Sequence, residues 1–337
     1  MDFSHIFLFL DHEFHPTSYI SAKTMKRTYH LCLSAGNENM FRDEADYIHG
    51  VNCLCLAAIK TDSIILAYSF MSNHVHICVR TADPDRFMKA FRYPYNRYFN
   101  KKYMRKGRIG EHDYFLLKID GLYHLLTAIA YVLRNPLHHG VAATPFGYRF
   151  SSVNAIFRKE LGRDDVPQIL PEKSCYLPSR ATLPKGYFMG PDGMIFPETF
   201  VDVADLQHKF ATARTYLYYM NRLSGEAWEK EQLQDNTNQV PIGLDNIEQG
   251  VCGLDMRSML ANEHGRANYM AMTDMEICTE IDSGLRLSGE TVYTLTPDRL
   301  IEMAGVLKLR YPSLSRLQLT RCLGGFLLDP DISASAR

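Results

Sequence analysis

Hydrophobic and polar positions follow two regular patterns along residues 27–138. Short runs rich in β-branched and aromatic residues predict four strands, at 27–35, 63–71, 74–81 and 113–119. Apolar residues at helical spacing predict three helices, at 41–61, 84–100 and 120–136. We expect Asp120 to open the third helix, Pro136 to stop it, and Ser72-Asn73 to form the turn of a hairpin. This order predicts an α+β domain with a ferredoxin-like antiparallel sheet and helices packed on it.

The remainder of the chain has a different pattern. Pro and Gly recur in residues 161–194 without a persistent period, which predicts a linker or an arm packed on the surface. Helical spacing at 203–223 and the Thr-Pro pair at 296–297 predict helices. The predicted organisation is therefore a domain at 1–160, a linker or arm at 161–200, and a helical accessory domain at 201–337. Residues 315–323 could be the second helix of a helix-turn-helix, although any two-helix hairpin would give the same pattern.

Composition narrows the class of protein. A chain of 337 residues with 46% hydrophobic side chains is long enough for two domains with cores, so disorder is not expected. The sequence contains no apolar run of 18 residues, and its eight cysteines lack zinc-knuckle spacing. We therefore expect a soluble cytoplasmic protein with reduced thiols and no membrane partner. The first half is basic and the second is acidic, although the whole chain has a net charge of only −1.

The third predicted strand contains a pair of histidines two residues apart. Because side chains alternate across a strand, His74 and His76 share one face with Cys78 and Arg80, while the residues between them face the core. A polar face with two imidazoles suits a metal ion or a phosphate. Two histidines with only hydrogen-bonding roles would show the same spacing.

The helix predicted at 120–136 has an apolar stripe, formed by Leu122, Leu125, Leu126, Ile129 and Leu133. Tyr131 falls opposite this stripe, and Asn135 follows one turn later on the same side. A tyrosine used for packing would lie in the stripe, so the pattern predicts an exposed ridge formed by Tyr131 and Asn135. An ordinary surface tyrosine is the alternative interpretation.

Residues 86–108 combine nine Lys or Arg with seven aromatic side chains and no acid. Cations that neutralise phosphates and rings that stack on unpaired bases suit single-stranded nucleic acid. The candidate DNA-binding residues are Arg92, Arg97, Tyr98, Lys101, Lys102, Tyr103, Arg105, Lys106 and Arg108. An amphipathic helix with a solvated basic face is the alternative, since some of these rings must serve the core.

Three of these segments together resemble a known family. "MSNHVHICV" at 71–79, "YVLRNPLHHG" at 131–140 and "YRFSS" at 148–152 resemble the single-tyrosine HUH transposases of insertion sequences, most of all the REP-associated tyrosine transposases. The resemblance extends over residues 27–152. It implies an HUH nuclease domain that cuts single-stranded DNA at hairpin-associated sites and joins strands through a 5′-phosphotyrosine.

The same resemblance implies roles for individual residues. His74 and His76 would bind a divalent metal, Mg²⁺ or Mn²⁺, Tyr131 would be the nucleophile, and Asn135 would be the third ligand or its support. The expected partner is single-stranded or hairpin DNA, and a homodimer is a further expectation. The alternative is a catalytically inactive, domesticated protein that binds or regulates DNA hairpins.

Overall fold

The computed structural model describes residues 25–142, 148–160, 176–178, 181–221 and 272–328. The start of the predicted first domain, much of the predicted linker and the middle of the predicted accessory domain lie outside these residues. No described helix is both long and apolar enough to cross a lipid bilayer.

Four strands form one antiparallel sheet, and they are β1 (Arg27–Ser34), β2 (Ile64–Phe70), β3 (His74–Thr81) and β4 (Phe115–Ile119). Their order across the sheet is β2-β3-β1-β4. This is the ferredoxin-like order, so the fold class predicted from the sequence is confirmed. The Ser72-Asn73 pair joins β2 to β3 as predicted, and the hairpin fixes which side chains of β3 face the same way.

Two helices cover one face of the sheet, α1 (Glu44–Thr61) and α2 (Pro84–Lys102). A capping box starts α1, in which Asp43 accepts from the backbone of Asp46 and the Asp46 side chain accepts from the backbone of Asp43. Phe70 of β2 pairs with Val75 of β3 and contacts the Phe91 ring of α2. The helices α1 and α2 therefore pack on the apolar face of β3.

Helix α3 (Leu122–His138) lies on the opposite face, and both of its ends differ from the sequence prediction. Gly121, with a φ of 87°, occupies the N-cap position in place of Asp120, because this left-handed backbone suits glycine. The helix continues through Pro136 to His138. A proline lacks the backbone donor of a helical hydrogen bond, and Asn135 and Pro136 are both buried in this last turn.

The single helix predicted at 203–223 is two helices, α4 (Val203–Phe210) and α5 (Ala213–Asn221). They separate at Ala211, whose φ of 62° is incompatible with a continuous helix. Side chains of both helices, including Phe210 and Tyr216, belong to the same hydrophobic core as the side chains of the sheet. The structure thus places residues 203–221 with the sheet, and not with the accessory domain to which the sequence assigned them.

Three helices form a second core, α6 (Asp274–Arg286), α7 (Pro297–Arg310) and α8 (Arg316–Cys322). The prediction of a mainly helical C-terminal region is confirmed, including the Thr-Pro start of α7. The polar residues Gln318, Thr320 and Arg321 of α8 are buried. The predicted helix-turn-helix therefore does not present these side chains to a DNA groove.

The described part of the predicted linker packs against α1 as an arm. Asn52 anchors it, because its side chain donates to the carbonyl of Gly193 at 2.9 Å and accepts from the backbone N–H of Ile195 at 2.8 Å. A buried carboxamide with both of its ends satisfied is expected to hold this arm in one register.

Candidate functional site

The histidine face of the sheet consists of His30 on β1 and His74 and His76 on β3. All three side chains are fully buried. In the antiparallel register Cys32 lies opposite His76 and His30 lies opposite Cys78, so all of them point to the α3 side. The ring centroid of Tyr131 lies 5.2 Å from that of His76 and 5.7 Å from that of His30, with its ring edge-on to both.

The prediction that Tyr131 lies on an exposed ridge is wrong. Only 6% of Tyr131 is exposed, and Asn135 is buried as well. The two residues do share one side of α3, but this side faces the histidines. Helix α5 packs against α3 as well, so α3 is not an amphipathic surface helix. Leu122, expected in the buried stripe, is 58% exposed at the start of the helix.

The hydrogen bonds of His74 determine which of its nitrogens has the proton. Asn73 donates through Nδ2 to the carbonyl of Gly36 at 2.8 Å, which orients its carboxamide. Its Oδ1 therefore accepts from Nδ1–H of His74 at 2.8 Å. The other nitrogen of His74, Nε2, then has a lone pair, and it lies 2.9 Å from Oδ1 of Asn135.

The carboxamide of Asn135 can interact with the lone pair on Nε2 of His74 in two ways. With its carboxamide turned over, Nδ2 would donate to Nε2 of His74. With Oδ1 in its present place, two acceptor atoms face each other at 2.9 Å, which is stable when both bind the same cation. Neighbouring ligands of an octahedral ion with bonds of about 2.1 Å are separated by about 3.0 Å. The pair of atoms therefore fits the cis positions of a small divalent ion.

His76 has an unpaired nitrogen on the same face. Its Nδ1 lies 3.1 Å from Nε2 of His30. Among the described residues, Nε2 of His76, Nδ1 of His30 and Oγ of Ser69 are buried without a hydrogen-bond partner. Ser69 lies opposite His76 in the β2–β3 register. Because an unsatisfied buried polar atom costs about 1–3 kcal/mol, this group of atoms marks a place for water or a ligand.

The three imidazoles are neutral at physiological pH. Burial lowers the pKa of His74 to about 4 and that of His30 to about 3. Burial lowers the pKa of His76 well below its usual value, and the neighbouring histidines lower it further. A neutral imidazole has the lone pair that a metal ligand needs. No group of three His, Cys, Asp or Glu side chains among the described residues is arranged for a metal, so the candidate donors here are two imidazoles and a carboxamide.

The turn before His74 is held by the C-terminal helices. Ser72 donates through Oγ to the carboxylate of Asp274 at 2.8 Å. Arg321 donates to both oxygens of the same carboxylate, at 2.8 and 3.1 Å. All three side chains are buried, so this ion pair fixes the backbone next to the histidine face with little solvent screening.

The rings of segment 86–108 mostly belong to the core. Phe87, Phe91, Tyr95, Phe99 and Tyr103 are all buried. Tyr103 is 3% exposed and donates to Asp46 at 2.7 Å, and Tyr98 stacks on His49 and donates to the same carboxylate at 3.0 Å. The prediction that Tyr103 stacks on DNA bases is therefore wrong, because its ring is buried, and Tyr98 is half-buried with one stacking partner in the protein already, His49.

Several cations of this segment have protein partners as well. Lys102 donates to Asp43 at 2.6 Å and to Asp46 at 2.7 Å, and Arg105 pairs with Glu38. Arg92 donates to backbone carbonyls between residues 109 and 112. The predicted DNA-binding residues that stay exposed are Arg97, Lys101, Lys106 and Arg108.

The outer face of α2 consists of Arg86, Lys89, Tyr93, Arg97 and Lys101, all of them exposed. Tyr93, which is 68% exposed, is the ring of α2 that is most available to a ligand. This face lies across the sheet from the histidine face. A groove between α2 and the β4 side is lined by Lys89, Tyr93, Arg108 and Leu116, and the carboxylates of Asp83, Asp85 and Asp113 line it as well. The adjacent Phe115 contacts His30 on the other face, so β4 borders both regions.

His30, Ser69 and Tyr93 were not selected from the sequence as site residues. A signal for His30 existed, because it alternates with Cys32 on β1 just as His74 alternates with His76 on β3. Only the pairing of β1 with β3 shows that the two sets share a face.

One solved structure similar to this chain is that of a REP-associated tyrosine transposase bound to a REP hairpin. The similarity covers 42% of this chain and 84% of that chain, with 13% sequence identity and a TM-score of 0.35. No protein-family model and no curated protein matches the chain.

Proposed function

We propose that the protein is a metal-dependent endonuclease and strand transferase that acts on hairpin-associated single-stranded DNA through a 5′-phosphotyrosine. The observation on which this rests is the convergence of Tyr131, Asn135, His74 and His76 from two separate elements onto one buried face. Helix α3 and strand β3 are 61 residues apart at the His74–Asn135 contact. Such a set of phenol, carboxamide and neutral imidazoles is unusual in a core built only for packing.

The donor atoms present fit a divalent metal. Nε2 of His74, Nε2 of His76 and Oδ1 of Asn135 would hold it, because Nε2 of His74 has a lone pair, Oδ1 of Asn135 lies 2.9 Å from it, and Nε2 of His76 is buried without a hydrogen-bond partner. When bound, the ion would polarise the scissile phosphate and offset the negative charge that develops during the reaction. Nitrogen with oxygen donors suits Mn²⁺, and Mg²⁺ is the other candidate.

In the proposed reaction Tyr131 is the nucleophile. Its phenolic oxygen forms a bond to phosphorus while the bond between phosphorus and the 3′ oxygen breaks. The phenolic proton passes to solvent, and the released 3′ oxygen takes up a proton. A phenolate is a better leaving group than an alkoxide, because phenol has a pKa near 10, so a later 3′-OH can reverse the step and join strands. Because Tyr131 is 6% exposed, greater exposure of its hydroxyl on DNA binding is part of the proposal.

We assign the outer face of α2 and its groove to the DNA backbone. The exposed cations Lys89, Arg97 and Arg108 can neutralise phosphates, and Tyr93 can stack on an unpaired base. Histidine-bearing β3 lies two strand spacings from β4, or about 10 Å. A DNA hairpin that passes the β4 edge can therefore reach from this groove to the histidine face.

The test is a covalent-adduct assay with the full chain, Mn²⁺ and labelled single-stranded hairpins from the flanks of its own gene. We expect an adduct that survives denaturing electrophoresis for the wild type and none for Tyr131→Phe, with hairpin affinity unchanged. Tyr123→Phe, a change at another tyrosine of α3, is the matched control and should form the adduct.

Two results would contradict the proposal. A normal adduct yield from Tyr131→Phe would exclude this residue as the nucleophile. Hairpin binding by the wild type without any adduct would favour the alternative of an inactive DNA-hairpin-binding protein.

A further inference from the structure

His30 is a buried histidine that neither the sequence motifs nor the proposed reaction uses. It is fully buried, and its ring stacks on that of His76 with centroids 5.2 Å apart. Nε2 of His30 lies 3.1 Å from Nδ1 of His76, which is its one hydrogen-bond contact among the described residues. Nδ1 of His30 and Nε2 of His76 are buried without a hydrogen-bond partner. The two imidazoles are therefore linked by one hydrogen bond, whose proton belongs either to His30 or to His76.

The shared proton can lie on either ring, with opposite results for the site. If Nε2 of His30 donates, Nδ1 of His76 accepts and the remaining proton of His76 is on Nε2, where it blocks a metal bond. If Nδ1 of His76 donates, Nε2 of His30 accepts and Nε2 of His76 presents a lone pair. A neutral imidazole that binds a metal through Nε2 must have its proton on Nδ1, and this proton needs an acceptor.

We infer that His30 is a positioning residue that accepts the Nδ1 proton of His76 and so holds His76 in the tautomer that can bind a metal through Nε2. This inference rests on the proposed function. The geometry matches that of the neighbouring histidine, since Oδ1 of Asn73 accepts the Nδ1 proton of His74 in the same manner. Each of the two candidate imidazole ligands would thus have its own acceptor for the Nδ1 proton.

The first test is calorimetric titration of the full chain with Mn²⁺. His30→Leu removes the acceptor, and we expect metal affinity to fall by about 10–100-fold, as for other residues that support a metal ligand. His30→Gln places a carboxamide oxygen near the lost nitrogen and should restore most of the affinity. Cys78→Ala is the matched control, because Cys78 is buried opposite His30 in the β-register but makes no bond to His76, so affinity should not change.

A second test reads the tautomers directly and does not depend on any variant folding. Nitrogen-15 NMR of histidine-labelled wild type, saturated with diamagnetic Mg²⁺, should show the proton of His76 on Nδ1 and an unprotonated Nε2 on His30. A proton on Nε2 of His30 in the metal-bound protein would overturn the inference.

The outcomes separate this inference from the proposed function. If the wild type binds no Mn²⁺ and forms no adduct, the proposed metal-dependent reaction fails, and the role of His30 fails with it. If the wild type binds Mn²⁺ and forms the adduct while folded His30→Leu binds Mn²⁺ equally well, only the role of His30 is overturned.

Discussion

A segment predicted from the sequence to be functional lies on each face of the sheet, but the side chains of the two segments have different surroundings in the tertiary structure. On the histidine face, Tyr131 and Asn135 come together with His74 and His76, and His30 joins them. On the opposite face, most rings of α2 are buried in the core, and Lys102 forms ion pairs with two carboxylates. Residue types alone therefore do not distinguish a cluster that forms a candidate site from a set of packed rings.

The difference could have been noticed in the spacing of the rings. The buried aromatic residues of α2 and its end recur at every fourth position, at 87, 91, 95, 99 and 103. This is the spacing of one buried helix stripe. Tyr93 lies outside that series and is exposed. Tyr98 also lies outside the series and is half-buried against His49, so the spacing of four identifies only the rings that are fully buried.

The largest effect should come from the packed ring of Tyr103, which directly follows α2. Tyr103→Ala removes a buried aromatic side chain and its hydrogen bond to Asp46, so we expect the free energy of unfolding to fall by about 3–5 kcal/mol in urea denaturation. Tyr93→Ala is the control on the exposed side and should change stability by no more than about 0.5 kcal/mol. The distinction between these rings would be wrong if Tyr103→Ala kept its stability but lost DNA affinity.

On the histidine face, removal of a side chain should lower the rate of adduct formation. His76→Ala removes a proposed ligand, and we expect the rate of adduct formation with Mn²⁺ to fall at least 10–100-fold. His208→Ala, at an exposed histidine that does not line the groove assigned to DNA, is the control and should retain the wild-type rate. Cleavage by His76→Ala at the normal rate, or wild-type cleavage in excess chelator, would contradict a ligand role.

The buried histidines should also make stability depend on pH. Their folded-state pKa values lie below the ordinary value of 6.5, so the unfolded chain binds protons first as the pH falls. Stability is therefore complete above about pH 6.5 and decreases toward pH 4, by about 1.4 kcal/mol per pH unit for each ring that stays neutral. Urea denaturation in EDTA between pH 5.5 and 4 should show a smaller slope for His30→Gln than for the wild type. An unchanged slope would mean that His30 is protonated in the folded protein.

The smallest effect concerns the outer face of α2. If Lys89 and Arg97 each neutralise one phosphate of a single strand, changing either to Ala should reduce the slope of log K against log salt by about 0.7. Lys102→Ala is the control, because Lys102 is occupied by Asp43 and Asp46 and should leave this slope unchanged. Fluorescence anisotropy on one hairpin over a salt series measures all three variants. Equal slopes for Lys89→Ala, Arg97→Ala and the wild type would exclude DNA contact at this face.

The sequence by itself determined the order of strands and helices and the fold class, because local periodicity and turn residues specify these features. It also determined that His74 shares a side with His76, and Tyr131 with Asn135, since alternation in a strand and spacing of four in a helix are local properties. Both pairs stand together on one face in the structure.

Only the tertiary structure decided which of these sides are buried, and against what. The pairing of β1 with β3 brings His30 to His76, and the packing of α3 on the sheet turns Tyr131 inward. Lys102 is occupied because α2 packs beside α1, where Asp43 and Asp46 lie. Contacts of this kind join residues far apart in the chain, and their free energy depends on strand register and burial, which the local pattern of residues does not specify.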